Sequence, residues 1–165
     1  METVNIFVSR PTVIGNEYEA LYSGFDANLR ARGFVPRRLG GGGGDFSKKP
    51  PLKAVIDLVT ECRGAIILGY PQIEFSHEAR RSDVVESKLR YVFPTPWNHI
   101  EGALAYSCQA PILVIAHPGI SGGVFDHGIT GEGVLHIDLA EPEWFTKPRF
   151  TQPFEEWVAD LGLPA

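Results

Sequence analysis

The 165-residue sequence is poor in cysteine, has no excess of basic charge and contains no long apolar run. Its two cysteines, Cys62 and Cys108, give no disulfide framework and no C-x-x-C motif, so we expect a protein of the reducing cytoplasm. Fifteen Lys and Arg residues against twenty Asp and Glu residues give a net charge of −5. This balance argues against nucleic acid as a partner, because nucleic-acid binding normally requires a basic face. No segment predicts a membrane span or a secretory signal.

The composition and the order of apolar segments predict the fold class. Hydrophobic residues make up 44% of the chain and charged residues 21%, as in a globular protein. The length suits one domain, predicted to cover residues 1–165. Short apolar runs alternate with helical patterns, and two runs, 65–70 and 111–116, have the continuous apolar character of strands buried on both faces. We therefore predict an α/β fold with a single flavodoxin-like, doubly wound sheet of about five parallel strands, in the order 2-1-3-4-5, and helices on both faces.

Two local patterns complete this prediction. Asn16, followed by Glu19 three residues later, resembles a capping box at the start of the first helix. The polar stretch between residues 72 and 93 has no clear periodicity, and we predict one short helix there, near Ser82 to Leu89.

The most informative stretch is "PTPWNHIEGALAYSCQAPILVIA", residues 94–116. Thr95 is the expected N-cap of a helix, and Pro96 suits its first turn. The positions that recur at helical spacing, and so predict its packed face, are Ile100, Ala103, Leu104, Ser107 and Cys108. Glu101 lies beside this face, one turn after Trp97, where solubility alone would not place a carboxylate. Because ligands of doubly wound sheets bind beyond the carboxyl ends of the strands, Glu101 is predicted to face that crevice.

This stretch resembles the αC helix and βD strand of TIR domains, where a W-x-x-x-E pattern precedes small residues and a strand. Here the pattern runs from Trp97 to Glu101. The opening "NIFVSR" resembles the first TIR strand, and the loop "GGGGGDFSKKPP" falls where TIR domains carry their mobile BB loop. In the enzymatic branch of that family the helix glutamate is required to cleave NAD. The resemblance therefore implies that Glu101 is the catalytic residue of an NAD glycohydrolase or ADP-ribosyl cyclase.

The resemblance also implies the partners of the protein. NAD or a related nucleotide is the substrate, and neither a separate cofactor nor a metal is expected. Homo-oligomers or TIR-type assemblies are expected, together with an effector or activator protein and a role in bacterial immune or stress signalling, such as antiviral defence.

Cleavage of an N-glycosidic bond explains the need for a single carboxylate. The reaction develops positive charge on the ribose, which a nearby carboxylate stabilises. Trp97 is expected to stack on a ring and Asn98 to hydrogen-bond a ribose hydroxyl. Ser9 and Arg10 are candidates for the pyrophosphate, assisted by backbone amides of the glycine run 40–44. The candidate substrate-binding residues are Ser9, Arg10, Gly44, Phe46, Tyr70, Trp97 and Asn98.

Two alternatives remain open. The stretch "HIEGALAYSCQAPILV" is also similar to the helix of nucleoside 2-deoxyribosyltransferases, in which a glutamate is the nucleophile that attacks a deoxyribose. A non-catalytic, TIR-like interaction module would use the same fold to bind partners, without needing Glu101. A metal site is not predicted, because the candidate ligands lack compact spacing; they are His117, Asp126, His127, His136 and Asp138.

Overall fold

The computed structural model describes residues 3–40, 47–81, 84–131 and 133–163, of which residues 75–81 and 84–90 are described by their backbone alone. Seven strands and four helices alternate along the described chain. In order they are β1 (Val4–Ser9), α1 (Asn16–Ala31), β2 (Phe34–Arg37), α2 (Pro51–Thr60), β3 (Ala65–Gly69), β4 (Ile73–Arg81), β5 (Val84–Phe93), α3 (Pro96–Ser107), β6 (Ile112–Ala116), β7 (Val134–His136) and α4 (Pro148–Asp160). Two short 3-10 helices follow β6 and β7, at Gly123–Phe125 and Trp144–Thr146 respectively.

Five strands form one parallel sheet in the order β2-β1-β3-β6-β7. With β4 and β5 set aside, this is the predicted order 2-1-3-4-5, so the prediction of a doubly wound α/β fold is confirmed. The central strands β3 and β6 are buried throughout, in agreement with their apolar sequences. Strand β2 contains Pro36 and lies at the sheet edge, where a missing N–H is tolerated.

The two faces of the sheet carry different helices, because successive side chains of a strand point to opposite faces. Ile6 and Val8 of β1 pack with α1 and α4, whereas Phe7 between them packs with α2 and α3. The same alternation sends Ile66 and Leu68 of β3 towards α1 and α4. A side chain at the carboxyl end of a strand is therefore assigned to one face by its position alone.

Strands β4 and β5 form an antiparallel hairpin outside the main sheet, residues 73–93, which we call the arm. The prediction of a short helix near Ser82 to Leu89 is wrong: residues 84–89 belong to β5, and residues 82 and 83 lie outside the described residues. Among the described strands the arm is paired to the body at one bridge, between Val92 and Ile120. The sequence of the arm lacks the apolar pattern of a strand buried in a core, which is why neither of its strands was predicted.

The predicted capping box of α1 is also absent. Gly15 occupies the N-cap position and no side chain caps the helix. The Glu19 carboxylate instead accepts two hydrogen bonds from the guanidinium of Arg10. It is therefore not available to bond the backbone at the start of α1, as a capping box requires. None of the helices in the described part of the chain combines the length and apolar character needed to cross a membrane.

Candidate functional site

A cleft of about 350 Å³ opens at the carboxyl ends of β1 and β3, the usual ligand position in a doubly wound sheet. We call it the Glu101 cleft. The residues that line it come from the ends of strands and the starts of helices: Arg10, Pro11, Thr12, Val13, Leu39, Pro51, Gln72, Thr95, Trp97 and Glu101. A larger cavity of about 680 Å³ lies at the opposite end of the sheet, beside Val4 and Phe34, away from α3.

Helix α3 presents Glu101 to this cleft. The Thr95 side chain accepts a hydrogen bond from the Asn98 backbone N–H and caps the helix as predicted, with Pro96 in the first turn. The predicted packed face is partly right: Leu104 and Cys108 are half-buried against the core. Ile100, in contrast, is 37% exposed, and the fully buried positions are Asn98, Gly102 and Ala105. Apolar residues on several sides of this helix made its periodicity ambiguous.

Small residues set the depth of α3 in the fold. The 3-10 helix Gly123–Phe125 packs beneath α3, and a Cβ atom added at Gly102 would lie 3.1 Å from a methyl carbon of Val124. A Cβ atom at Gly69, at the end of β3, would lie 2.7 Å from the ring of Phe125. Both glycines therefore allow a close approach that places the first turns of α3 over the carboxyl end of the sheet.

Asn98 anchors α3 to the two central strands. Its side chain is fully buried, and its Nδ2 donates to the Ser9 hydroxyl at 3.0 Å and to the Leu68 carbonyl at 3.3 Å. Its Oδ1 accepts a hydrogen bond from the Thr95 hydroxyl at 2.9 Å. Every polar atom of this amide side chain is therefore satisfied by the protein. Asn98 is placed to hold the helix in position, and the predicted bond from it to a ribose hydroxyl would require breaking one of these contacts.

Glu101, one turn after Asn98, lies in a less satisfied environment. Burial raises the pKa of its carboxyl group to about 7, and a hydrogen bond with the side chain of Ser9 lowers it by a smaller amount. The carboxyl group lines the cleft while much of it is removed from water. A carboxylate of this kind exchanges its proton near neutral pH and keeps strong electrostatic interactions with a bound ligand.

Trp97 lies at the wall of the cleft, one helical turn before Glu101. Its side chain is 44% exposed, whereas tryptophan is highly buried on average in folded proteins. The exposed ring is therefore available as a flat apolar surface beside the carboxylate.

Ser9 and Arg10 point to opposite faces of the sheet, although they are adjacent in the sequence. Ser9 shares its face with Phe7 and is buried beneath Asn98 and Glu101. Arg10 faces α1, where its guanidinium forms hydrogen bonds of 3.0 and 3.1 Å with Glu19 and its side chain is only 3% exposed. Ser9 does not line the cleft, and the Arg10 guanidinium that lines it already binds Glu19, so a pyrophosphate would have to share Arg10 with that carboxylate.

Tyr70 does not belong to the Glu101 cleft. Strand alternation places it with Ile66 and Leu68, and its fully buried ring packs edge-on against Tyr18 at 5.4 Å on the α1 face. Gly44 and Phe46 lie outside the described residues. Leu39, before this stretch, and Pro51, after it, both line the cleft.

Several lining residues were not predicted from the sequence. They are Pro11, Thr12, Val13, Leu39, Pro51, Gln72 and Thr95 as a wall residue. The sequence feature that could have identified them is their position. Each lies within a few residues after a strand, or at the start of a helix, at the carboxyl end of the sheet.

Two of the candidate metal ligands lie close together: His117 directly follows β6 and Asp138 follows β7. The distance between the His117 Nδ1 and the Asp138 Oδ1 atoms is 3.6 Å. The His117 Nδ1 atom accepts a hydrogen bond from the Leu139 backbone N–H at 3.3 Å. Within residues 3–40, 47–81, 84–131 and 133–163, no three His, Cys, Asp or Glu side chains group closely enough to hold a metal ion.

Comparison with known proteins does not assign this site. No protein-family model matches the chain, and no curated protein is significantly similar to it.

Proposed function

We propose that this protein is an enzyme that cleaves the bond between nicotinamide and ribose in NAD, with Glu101 as the catalytic carboxylate. The observation that carries the proposal is a partly buried carboxyl group with a pKa of about 7, lining a cleft beside the exposed indole of Trp97. The W-x-x-x-E pattern shared with TIR domains supports it. The same resemblance favours a role in bacterial immune or stress signalling, with activity that depends on assembly at high protein concentration.

The chemistry uses Glu101 in two ways. As the bond breaks, its electron pair leaves with nicotinamide, which becomes neutral, and positive charge develops on the ribose. The carboxylate of Glu101 stabilises that charge in a site of low dielectric. A water oxygen then bonds to the ribose carbon and releases a proton, which a carboxylate with a pKa of about 7 is suited to accept. The products are nicotinamide and ADP-ribose; attack by the adenine of the same molecule gives a cyclic product.

The test is chromatography of the products after incubation of the protein at high concentration with about millimolar NAD. Glu101→Gln keeps the size of the side chain and removes its charge, so we expect nicotinamide release to fall by at least about a hundredfold. Glu156→Gln, the same change at an exposed position of α4, is the matched control and should release nicotinamide at the original rate. The rate of the unmodified protein should rise with pH through about 7, as Glu101 ionises.

A second candidate function is favoured by the charges of the cleft. Arg10 is the single basic residue among the described lining residues, and its guanidinium already forms an ion pair with Glu19. Among the described residues, a cleft whose basic side chain is already paired with a carboxylate suits an uncharged nucleoside better than a diphosphate. In a nucleoside 2-deoxyribosyltransferase, Glu101 would attack the sugar and carry it as a covalent ester.

The same samples separate the candidates. Base exchange between a deoxynucleoside and a free base, with a sugar adduct on Glu101 detected by mass spectrometry, would favour the transferase. If neither NAD nor nucleoside is consumed over a range of protein concentrations, the enzyme proposals fail and the interaction module becomes the better explanation.

A further inference from the structure

The arm is the one described element that the proposed function does not use. Strand β4 has nine residues and would extend about 30 Å at the usual rise per residue. It pairs with β5 along one edge, and its other edge faces no strand in the described parts of the chain. A two-stranded ribbon of this kind is marginally stable in water, and its free edge is a template for another strand.

At the base of the arm, three apolar side chains on one face are partly open to solvent. Ile73 and Phe93 are register partners, and Tyr91 lies two residues before Phe93, so the three share a face. They are 62%, 39% and 40% exposed, respectively. The opposite face meets the body near Val92, which is buried. The exposed face therefore points away from the core that would normally cover it.

The charge of the arm favours self-association. Residues 73–93 contain four basic and four acidic residues, whereas the whole chain has fifteen and twenty. The excess of negative charge thus lies entirely outside the arm. Contact between two arms therefore brings no net like charge together, whereas the rest of the surface is negative on average.

We propose that β4 pairs antiparallel with β4 of a second copy of this chain, which joins the two arms into a four-stranded sheet. The register that pairs all nine residues sets Ile73 opposite Arg81 and His77 opposite His77 of the other copy. It also sets Glu74 opposite Arg80, twice, because the two-fold axis repeats the pair. Facing residues of opposite charge stabilise an antiparallel pair, so this register gains two Glu74–Arg80 pairs. The irregularity between Ala79 and Arg81 belongs to the pairing of β4 with β5, along the other edge of the strand.

The experiment measures the mass of the full chain by sedimentation, without substrate, at micromolar to millimolar concentration. We expect a concentration-dependent shift from 18.2 kDa towards twice that mass. Arg80→Glu places like charges opposite each other at both symmetric positions and should raise the dimer Kd by about tenfold or more. Glu74→Arg should do the same. The double variant Glu74→Arg/Arg80→Glu restores opposite charges and should restore the original Kd.

Arg149→Glu, on the exposed side of α4, makes the same change in net charge away from the arm and should leave the Kd unchanged. A chain that stays at 18.2 kDa at every concentration would overturn the proposal. A dimer whose Kd is unchanged by the single charge reversals would also overturn it. So would a double variant whose Kd stays as high as those of the single variants. Rescue also shows that the single variants did not simply unfold. Because no substrate is present, failure here is distinct from failure of the proposed enzymatic activity.

Discussion

The two faces of the central sheet differ in what fills them. Among the described residues, the core cluster under α1 and α4 contains eight aromatic side chains, whereas the cluster under α2 and α3 contains two. On the first face Phe154 lies between Phe150, Trp157 and Phe34, with ring centroids 5.1 to 5.9 Å apart. On the second face α3 approaches through glycine and alanine, and the cleft opens there.

The aromatic face therefore contributes mainly to stability, whereas the other face holds the cleft of the proposed site. Large interlocked rings bury the most apolar area and so provide most of the hydrophobic free energy of folding. The face with small residues allows a helix to carry a carboxyl group partly out of water, which costs stability. Burial of Glu101 is tolerated because the opposite face holds the sheet together.

The largest expected effect is on the aromatic face. Phe154→Ala removes a fully buried ring and should lower the free energy of unfolding by about 3–5 kcal/mol. Val55→Ala, a truncation of an equally buried residue of α2 on the other face, should cost about 2 kcal/mol. Urea titrations of both variants give the comparison. Equal losses would mean that the two faces contribute alike.

A pH-dependent effect is expected on the cleft face. The pKa of Glu101 rises from an ordinary 4.5 to about 7 on folding, so its ionised form is disfavoured in the native state. The penalty is absent below about pH 4.5, grows as the pH rises to about 7 and is constant above that. Glu101→Gln should therefore stabilise the protein by up to about 3 kcal/mol at pH 8 and by little at pH 4.

Thermal melts at both pH values test this expectation, with Glu156→Gln as the control. Stabilisation by Glu101→Gln that is equal at pH 4 and pH 8 would show that the carboxyl group carries no burial penalty.

The smallest of the three effects concerns the anchor of α3. Asn98→Ala leaves the buried Leu68 carbonyl and Ser9 hydroxyl without their donor, and should cost about 2 kcal/mol. Asn16→Ala, at the exposed and uncapped start of α1, should change stability by a few tenths of that. If the Asn98 variant unfolds at the same urea concentration as the unmodified protein, the proposed anchoring role is wrong.

The fold of the body was largely predictable because its signals are local. Continuous apolar runs marked β3 and β6, and Thr95 with Pro96 marked the start of α3. The arm was not predictable, because its sequence alternates apolar and charged residues with no clear period. Its one described core contact, at Val92, comes at the end of the hairpin and leaves no periodic pattern in the sequence.

The candidate site was predictable at Glu101 and Trp97, where a carboxylate and an indole sit one helical turn apart. The partners of the other candidates were not. Arg10 bonds to Glu19 across a turn, and Ser9 bonds to Asn98 from 89 residues away. The placement of Tyr70 was available from strand alternation, since it shares the parity of Leu68. Hydrogen bonds between residues far apart in the sequence, in contrast, can be identified only from the three-dimensional structure.

The arm leaves and rejoins the body at adjacent points. The Gln72 backbone N–H donates to the Phe93 carbonyl at 2.9 Å, and Pro71 and Pro94 flank this pair. Because its two ends are adjacent, the arm connects β3 to α3 over the same short distance that a tight turn would span. Its length and sequence can diverge over evolution while the helix that bears the carboxylate keeps its place. The proposed interface on the arm and the proposed chemistry of Glu101 could therefore be inherited, lost or exchanged separately.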